Sequence, residues 1–242
     1  MLSMYLGKKI GAILLMAGEG LRMGSDLPKQ FLLLGDRPVY SHALDALISS
    51  ALFDEIVLVC HPQWLHLMKQ RAITGGKTRQ ESSYLGLKGF RNRPDIVLIH
   101  DAVRPFVTEE ILKKNVEGAI RFGAIDTCIP SADTLVHAPD QTMIQSIPNR
   151  SHYLRGQTPQ TFRMDWILEA HEKALEAGIE NATDDCRLVL QLGKPVHIVL
   201  GSENNLKITS ESDLIMAEHF YSAHLIFSFK NDKIPSLLNE GK

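Results

Sequence analysis

Only three cysteines, Cys60, Cys128 and Cys186, occur in 242 residues. They are far apart, odd in number and outside any metal-type spacing. That argues against a disulfide framework and a zinc site, and it fits a reducing cytoplasm. A basic excess is also missing. Lys and Arg number 26 against 28 Asp and Glu, a formal net charge of -2. Such a chain has no field to wrap polymeric nucleic acid, whereas a single nucleotide needs only a local basic pocket. Long apolar runs are absent as well. The opening "MLSMYLGKK" has no apolar core of a targeting segment, and no run approaches the roughly 18 apolar residues of a membrane span. A cytoplasmic protein with no membrane partner is expected. The ten histidines show no ligand spacing, and no Ser/His/Asp order suggests acyl transfer.

What is present is ordinary in bulk: 44% hydrophobic and 22% charged residues, enough for one large α/β domain with a substantial core. Short apolar runs alternate with helical spacing. "IGAILLMAG", "DEIVLVC" and "DIVLIHDAVRPF" read as buried strands, and "KPVHIVLG" as a later one. Helices are expected over 38–51, near 62–71, within "GGKTRQESSYLGLKGF", and over 108–122, 163–177, 183–192 and 210–224. "DTLVHAPDQTMIQSIP" alternates like two short strands about an Asp-Gln turn, which predicts a protruding hairpin over about 132–152. No repeat or long linker divides the chain, so residues 1–225 read as one domain and 226–242 as an appended tail. Strands joined by helical crossovers imply a largely parallel sheet with helices on both faces. Ligands of such sheets bind beyond the carboxyl ends of the strands. The polar clusters "AGEGLRMG", "HDAVRP" and "GSENNLKIT" follow strands in just that way.

The first of these, within "MAGEGLRMGSDLPKQF", is rich in glycine and cations. No Walker A string G-x-x-x-x-G-K-[ST] follows the strand. Gly18, Gly20 and Gly24 give G-x-G-x-x-x-G, one residue too long for a dinucleotide fingerprint, and the second strand ends Cys60-His61-Pro62 without the acid that would hold a ribose. What remains is a glycine loop carrying its own Arg22 and Lys29. Glycines let backbone N–H groups approach phosphate oxygens, and the two cations would neutralise a polyphosphate. A surface loop with incidental charges is the alternative. Asp101 could hold Mg²⁺ or a ligand hydroxyl, or cap a turn; Arg104 could meet an anion or form a surface ion pair. Lys207 reads as a ligand or a solvated lysine. Thr183-Asp184-Asp185 reads first as a helix cap with an acidic first turn, and Cys186 as a small core residue.

The strings "AGEGLRMG…PKQF", "GGKTRQESSYLGL", "HDAVRPF", "DTL", "PNRSHYLRGQTPQTF", "TDD" and "NLKIT…DL…AE" stand in order from about Ile10 to Phe220. Together they resemble the 2-C-methyl-D-erythritol 4-phosphate cytidylyltransferase family. The ribitol-5-phosphate cytidylyltransferases share nearly all of them, and the spacing from Arg22 to Lys29 is similar to the former. The resemblance implies a Rossmann-like nucleotidyltransferase fold with a hairpin dimerisation arm. It implies transfer of a cytidylyl group from CTP to 2-C-methyl-D-erythritol 4-phosphate with Mg²⁺, releasing pyrophosphate, in non-mevalonate isoprenoid precursor synthesis. It also implies a cytoplasmic homodimer, with ribitol 5-phosphate as the alternative acceptor. By the same resemblance Arg22, Lys29 and Lys207 are catalytic cations, and Ala17, Gly18, Gly20, Gly76, Ser82 and Asp101 hold the nucleotide. Asp101, Ala102, Arg104, Thr134, Arg150, Thr158, Thr183 and Lys207 hold the second substrate, with Thr134 and Arg150 reaching it from the partner subunit. Asp101 is also the metal candidate. Two departures are visible: Ser83 and Tyr84 follow Ser82 where the family often has valine, and the segment before Gly75 is short for the strand expected there. A sugar-phosphate nucleotidyltransferase for another base and a non-catalytic nucleotide-binding dimer are the other readings. The retained cations speak against the last.

Overall fold

The computed structural model describes residues 5–18 and 27–231, with side chains through 223. Gly20 and Arg22 therefore lie outside the described residues. The first buried run forms strand β1 (Ile10–Met16), followed by a two-stranded ribbon β2 (Leu33–Leu34) and β3 (Arg37–Pro38) and by helix α1 (Val39–Ser49). Then come β4 (Glu55–Cys60), β5 (Ala72–Thr74), α2 (Arg79–Lys88), β6 (Ile96–Asp101) and α3 (Glu109–Phe122). The second half contributes β7 (Ala124–Pro130), β8 (Leu154–Arg163), α4 (Met164–Glu176), α5 (Asp185–Gln191), β9 (His197–Leu200) and α6 (Glu211–Asn231).

Seven strands form one sheet in the order β5-β4-β1-β6-β8-β7-β9. All run parallel except β8, which pairs antiparallel with both β6 and β7. The mostly parallel sheet matches expectation, and its runs of branched apolar residues are buried because both faces are covered. Strand order reverses at β1, with β4 on one side and β6 on the other. A crevice therefore opens beyond their carboxyl ends.

Several expectations need adjusting. Residues 62–71 do not make an α-helix: Pro62–Leu67 is a 3₁₀ segment and the chain then enters β5, the expected strand in abbreviated form. The stretch 133–148 forms one antiparallel bridge, His137 with Ser146, rather than two strands. Its Val136, Met143, Ile144 and Ile147 are all more than half exposed, so no core in this chain holds a ladder together. Helix α6 runs to Asn231 and so crosses the position where the tail is expected to begin. Residues 232–242 lie outside the described residues.

Helix α2 lies close against β1 because Gly86 faces it. A Cβ built there would sit 2.8 Å from Ile13 Cγ2 and 3.1 Å from Val59 Cγ2. Alanine at this position gains up to about 1 kcal/mol of helix propensity, but overpacking a filled core costs about 1–3 kcal/mol. Ile13 is fully buried and stiff, so the second effect wins. Gly86→Ala is expected to lower unfolding free energy by about 1 kcal/mol in urea titrations; a more stable variant would mean that α2 does not press on β1.

Candidate active site

A cleft of about 890 Å³ opens at the carboxyl ends of β1, β4, β5 and β6. Its floor is Ala17 and Gly18 after β1, and its walls are Lys29, His61, Gly75, Gly76, Ser82, Asp101 and Lys207. The loop after β1 is pinned by Gln30, a buried side chain whose amide donates to the carbonyls of Met16 (2.8 Å) and Gly18 (3.0 Å). Gln30 belongs to a single 3₁₀ turn, Lys29–Phe31, so fixing it also fixes the neighbouring Lys29. Across the cleft, a Cβ at Gly75 would lie 2.4 Å from the Ala17 methyl. Only glycine lets the two loops approach this closely.

Helix α2 begins at the next turn. Thr78 caps it by accepting from Glu81 N–H at 3.1 Å, and Glu81 returns a carboxylate oxygen to Lys77 N–H at 2.6 Å. Ser82 is buried, takes Gly76 N–H at 3.1 Å and donates to Thr78 carbonyl at 2.8 Å. It thereby sets the shape of the Gly75–Gly76 wall.

Asp101 ends β6 at the foot of the cleft. Its Oδ2 takes Lys207 Nζ at 2.8 Å, and its Oδ1 faces Arg79 Nε at 3.6 Å. Burial would raise this carboxyl, but Arg79 and then Lys207 outweigh it and hold it well below the usual carboxylate range. Arg79 seats its Nη1 on Asp185 Oδ2 at 2.7 Å, while Asp185 Oδ1 meets His171 Nε2 at 2.9 Å. Asp185 is held down in the same manner, against its own burial, by Arg79 and His171.

Behind Asp101 lies a second polar layer. Its backbone N–H donates to Thr158 Oγ1 at 3.0 Å. His100 Nε2 meets the Arg104 carbonyl at 3.1 Å, so that nitrogen carries the hydrogen and Nδ1 accepts from the Thr158 hydroxyl at 3.1 Å. Full burial pushes His100 down to about 4. Arg104 is itself buried, not a surface ion pair, and donates from Nη1 to the Asn205 carbonyl at 2.8 Å. It fastens the loop that carries Lys207.

Ala17, Gly18, Lys29, Gly76, Ser82, Asp101 and Lys207 thus come together. Ala102, Thr158 and Arg104 lie buried behind the cleft rather than along it. Thr183 is exposed next to Asp184, which caps α5 by accepting from Arg187 N–H at 2.9 Å, as the cap reading expects. Thr134 and Arg150 are exposed at the base of the 132–152 excursion, where Arg150 Nη1 donates to the Ala132 carbonyl; neither lines this chain's cleft. Sequence reasoning missed Gln30, Arg79 and the buried role of Asp185. A cation at the first turn of a helix behind a glycine pair was the available signal for Arg79, since such a turn already attracts anions.

Among the described residues, no three His, Cys, Asp or Glu side chains converge as a metal cage. Magnesium does not require one, because it keeps waters and binds through one or two carboxylates plus substrate phosphates. Asp101 beside a phosphate-type loop fits that donor set.

Comparison with known proteins agrees with this geometry. The family model for 2-C-methyl-D-erythritol 4-phosphate cytidylyltransferase matches residues 10–223. A protein of that name from Desulforamulus reducens is 39% identical over 223 residues, 87% of this chain and 95% of that one. Among solved structures, the 4-diphosphocytidyl-2C-methyl-D-erythritol synthase of Anaerococcus prevotii superposes with a TM-score of 0.77 at 32% identity, covering 89% of this chain and 99% of its own. The 2-C-methyl-D-erythritol 4-phosphate cytidylyltransferase of Thermus thermophilus gives 0.73 at 31%, covering 87% and 98%.

The charges behind the cleft predict two pH windows. His100 is neutral in the fold at pH values where the unfolded chain, with an ordinary value of about 6.5, binds a proton. Its contribution is therefore lost as pH falls from about 6.5 to about 4. Asp101 and Asp185 are depressed, so theirs is present above the unfolded value of about 3.9 and lost as pH falls below it. Melting temperature should fall gently through the first window and steeply below the second. In His100→Gln the first slope should flatten; an unchanged slope would place the titrating group elsewhere.

Proposed function

From membership in the 2-C-methyl-D-erythritol 4-phosphate cytidylyltransferase family, to which this chain belongs, we propose that the cleft at the ends of β1 and β6 is where that family's reaction takes place. The protein is a nucleotidyltransferase. It moves the cytidylyl group of CTP onto 2-C-methyl-D-erythritol 4-phosphate, releasing pyrophosphate, in isoprenoid precursor synthesis. The observation that carries the site assignment is the convergence of Lys29, Lys207 and Asp101 on one glycine-walled cleft.

The attacking group is a phosphate, already ionised at neutral pH, so the protein needs no general base. Its work is positioning and charge stabilisation at the α-phosphorus. Backbone N–H groups of Gly18 and Gly20 cradle the triphosphate, and Arg22, Lys29 and Lys207 face the charge that grows on the reacting phosphorus. Gly76 and Ser82 bound the base pocket, and narrow backbone walls favour a pyrimidine over a purine. Asp101 holds Mg²⁺ or an acceptor hydroxyl, and bound Mg²⁺ supplies charge neutralisation on the phosphates. Arg104 and Thr158 support the acceptor side through the loop they fasten, with Ala102 and Thr183 flanking it.

Thr134 and Arg150 do not line this chain's cleft, and the arm that carries them exposes Val136, Met143, Ile144 and Ile147. A homodimer in which each arm serves the neighbouring cleft accounts for both facts. The three free, buried cysteines suit a cytoplasmic setting. Among the described residues no helix is long and apolar enough to cross a membrane.

The direct test is pyrophosphate release from CTP and Mg²⁺, with methylerythritol 4-phosphate and ribitol 5-phosphate assayed side by side. Release with the first alone is expected; release with the second alone would reassign the acceptor. Lys29→Ala should lower turnover by roughly a hundredfold or more, the scale for removing one preorganised charge donor, in a protein that melts normally. Turnover near that of the parent would remove Lys29 from the reacting centre. Arg150→Ala should raise KM for the polyol phosphate and leave CTP binding in place. A weakened affinity for CTP would argue against acceptor binding across the dimer.

A further inference from the structure

Two buried groups continue the cleft's charges away from its ligand side and have no part in the reaction just described. Asp185, the first residue of α5, is 1% exposed, and His171 on α4 is fully buried. Neither lines the cleft. Charges alternate inward from Lys207 through Asp101 and Arg79 to Asp185, with His171 at the end. The spacing along this row is uneven. Arg79 sits firmly on Asp185, at 2.7 Å, and only faces Asp101, at 3.6 Å.

Asp185 is fixed from several directions. Its N–H donates to Gln160 Oε1 at 3.1 Å, and its second carboxylate oxygen is taken by His171. The His171 ring stacks on Tyr84 at 5.7 Å with 20° between planes. Gln80 ties the approach to α5 onto α2 by accepting Ala182 N–H at 2.8 Å. A buried ion pair set in such a frame adds little net stability, because apolar groups of equal volume would do as well. What it does fix is the direction of a planar guanidinium.

We propose that Asp185, oriented by His171, is a positioning residue that holds Arg79 back from Asp101. Asp101 then keeps Oδ2 for Lys207 and stays open towards the ligand side. Without the Asp185 charge, the nearest remaining carboxylate for Arg79 among the described residues is Asp101, and the guanidinium would close on it in competition with Lys207. The inference rests on the assignment of Asp101 and Lys207 to the reacting centre.

The test is Asp185→Asn in the full chain, alone and combined with Asp101→Asn, read by steady-state kinetics, calorimetric CTP binding and thermal melting. Asp185→Asn should melt below the parent, because it leaves the Arg79 charge uncompensated, yet stay folded at the assay temperature. It should bind CTP within about twofold, while kcat falls roughly tenfold, the lower end for groups that orient a site from behind. Asp185→Glu, which keeps the charge, should recover most of that loss. In the Asp101→Asn background the further loss should disappear, since a residue acting through another is not additive with it. Unchanged kcat in folded Asp185→Asn, a loss confined to KM, or additive losses in the double variant would each overturn the proposal. If Asp185→Asn fails to fold, His171→Gln leaves the carboxylate in place and should lower kcat about threefold with KM unmoved; no change there would also overturn it. Wild-type turnover in Asp101→Asn alone would overturn the assignment of Asp101, and this inference with it, whereas inactive Asp101→Asn beside fully active Asp185→Asn would overturn this inference only.

Discussion

The carboxylate of Asp101 gathers three distant stretches of chain onto one point. Lys207 reaches it from the loop after β9, and Arg79 from the first turn of α2. Asp101 itself closes the central strand β6. Removing a carboxylate from water is costly unless cations replace the lost solvation, and two cations share this one. The converse holds for the cations. Without Asp101, Lys207 would lose the carboxylate it is held on, and Arg79 would be left with Asp185. The carboxylate therefore balances the charges gathered at the end of β6.

That requirement explains the odd strand of the sheet. β8 runs against its neighbours and carries Gln157, Thr158, Gln160 and Thr161, all buried. An apolar strand there would leave the Asp101 N–H and the His100 Nδ1 without partners and would take one of its holds from the 201–209 loop. Instead Thr158 serves Asp101 and His100, and Gln157 reaches the Ser202 carbonyl at 2.9 Å. Gln160 joins the Asp126 carboxylate, at 3.0 Å, to the backbone of Asp185. The strand trades hydrophobic burial for four polar side chains that each find a partner, and buried polar groups that are paired rigidify a site.

The same trade set the limits of what could be read in the sequence. Where burial is apolar, as in "IGAILLMAG" or "DIVLIHDAVRPF", the runs placed β1 and β6 to within a residue or two. Residues 124–130 and 154–163 carry polar groups inward, so they showed no such run and drew no strand assignment, although they form β7 and β8. Lys29, Asp101 and Lys207 were drawn together by the family resemblance, whereas position alone left Asp101 a turn cap and Lys207 a solvated lysine as well; the cleft brings all three together. Arg79 and Asp185 were not legible as a pair, since 106 positions separate partners that are brought together by the packing of α2 against α4 and of α4 against α5. The alternation over 133–148 read as two strands of a hairpin. Alternation alone does not supply the surface against which a ladder forms, and only the His137–Ser146 bridge is made.

That excursion bears on how the proposed reaction is divided between chains. Of the described cations that line the cleft, Lys207 is held on Asp101 and Arg79 on Asp185, and Lys29 and the exposed Lys77 line it as well. Arg104 is turned away onto the Asn205 carbonyl. In the proposed reaction a second phosphate, brought in by the acceptor, also has to be oriented by a guanidinium or ammonium for in-line attack. Arg150 is exposed and sits on a stretch whose apolar side chains find no cover in their own chain. In the proposed homodimer, covering those side chains against a second copy would give the arm a surface to pack on. The same contact would bring Arg150 to the neighbouring cleft, which is why the arm's apolar exposure and the acceptor site belong to one question.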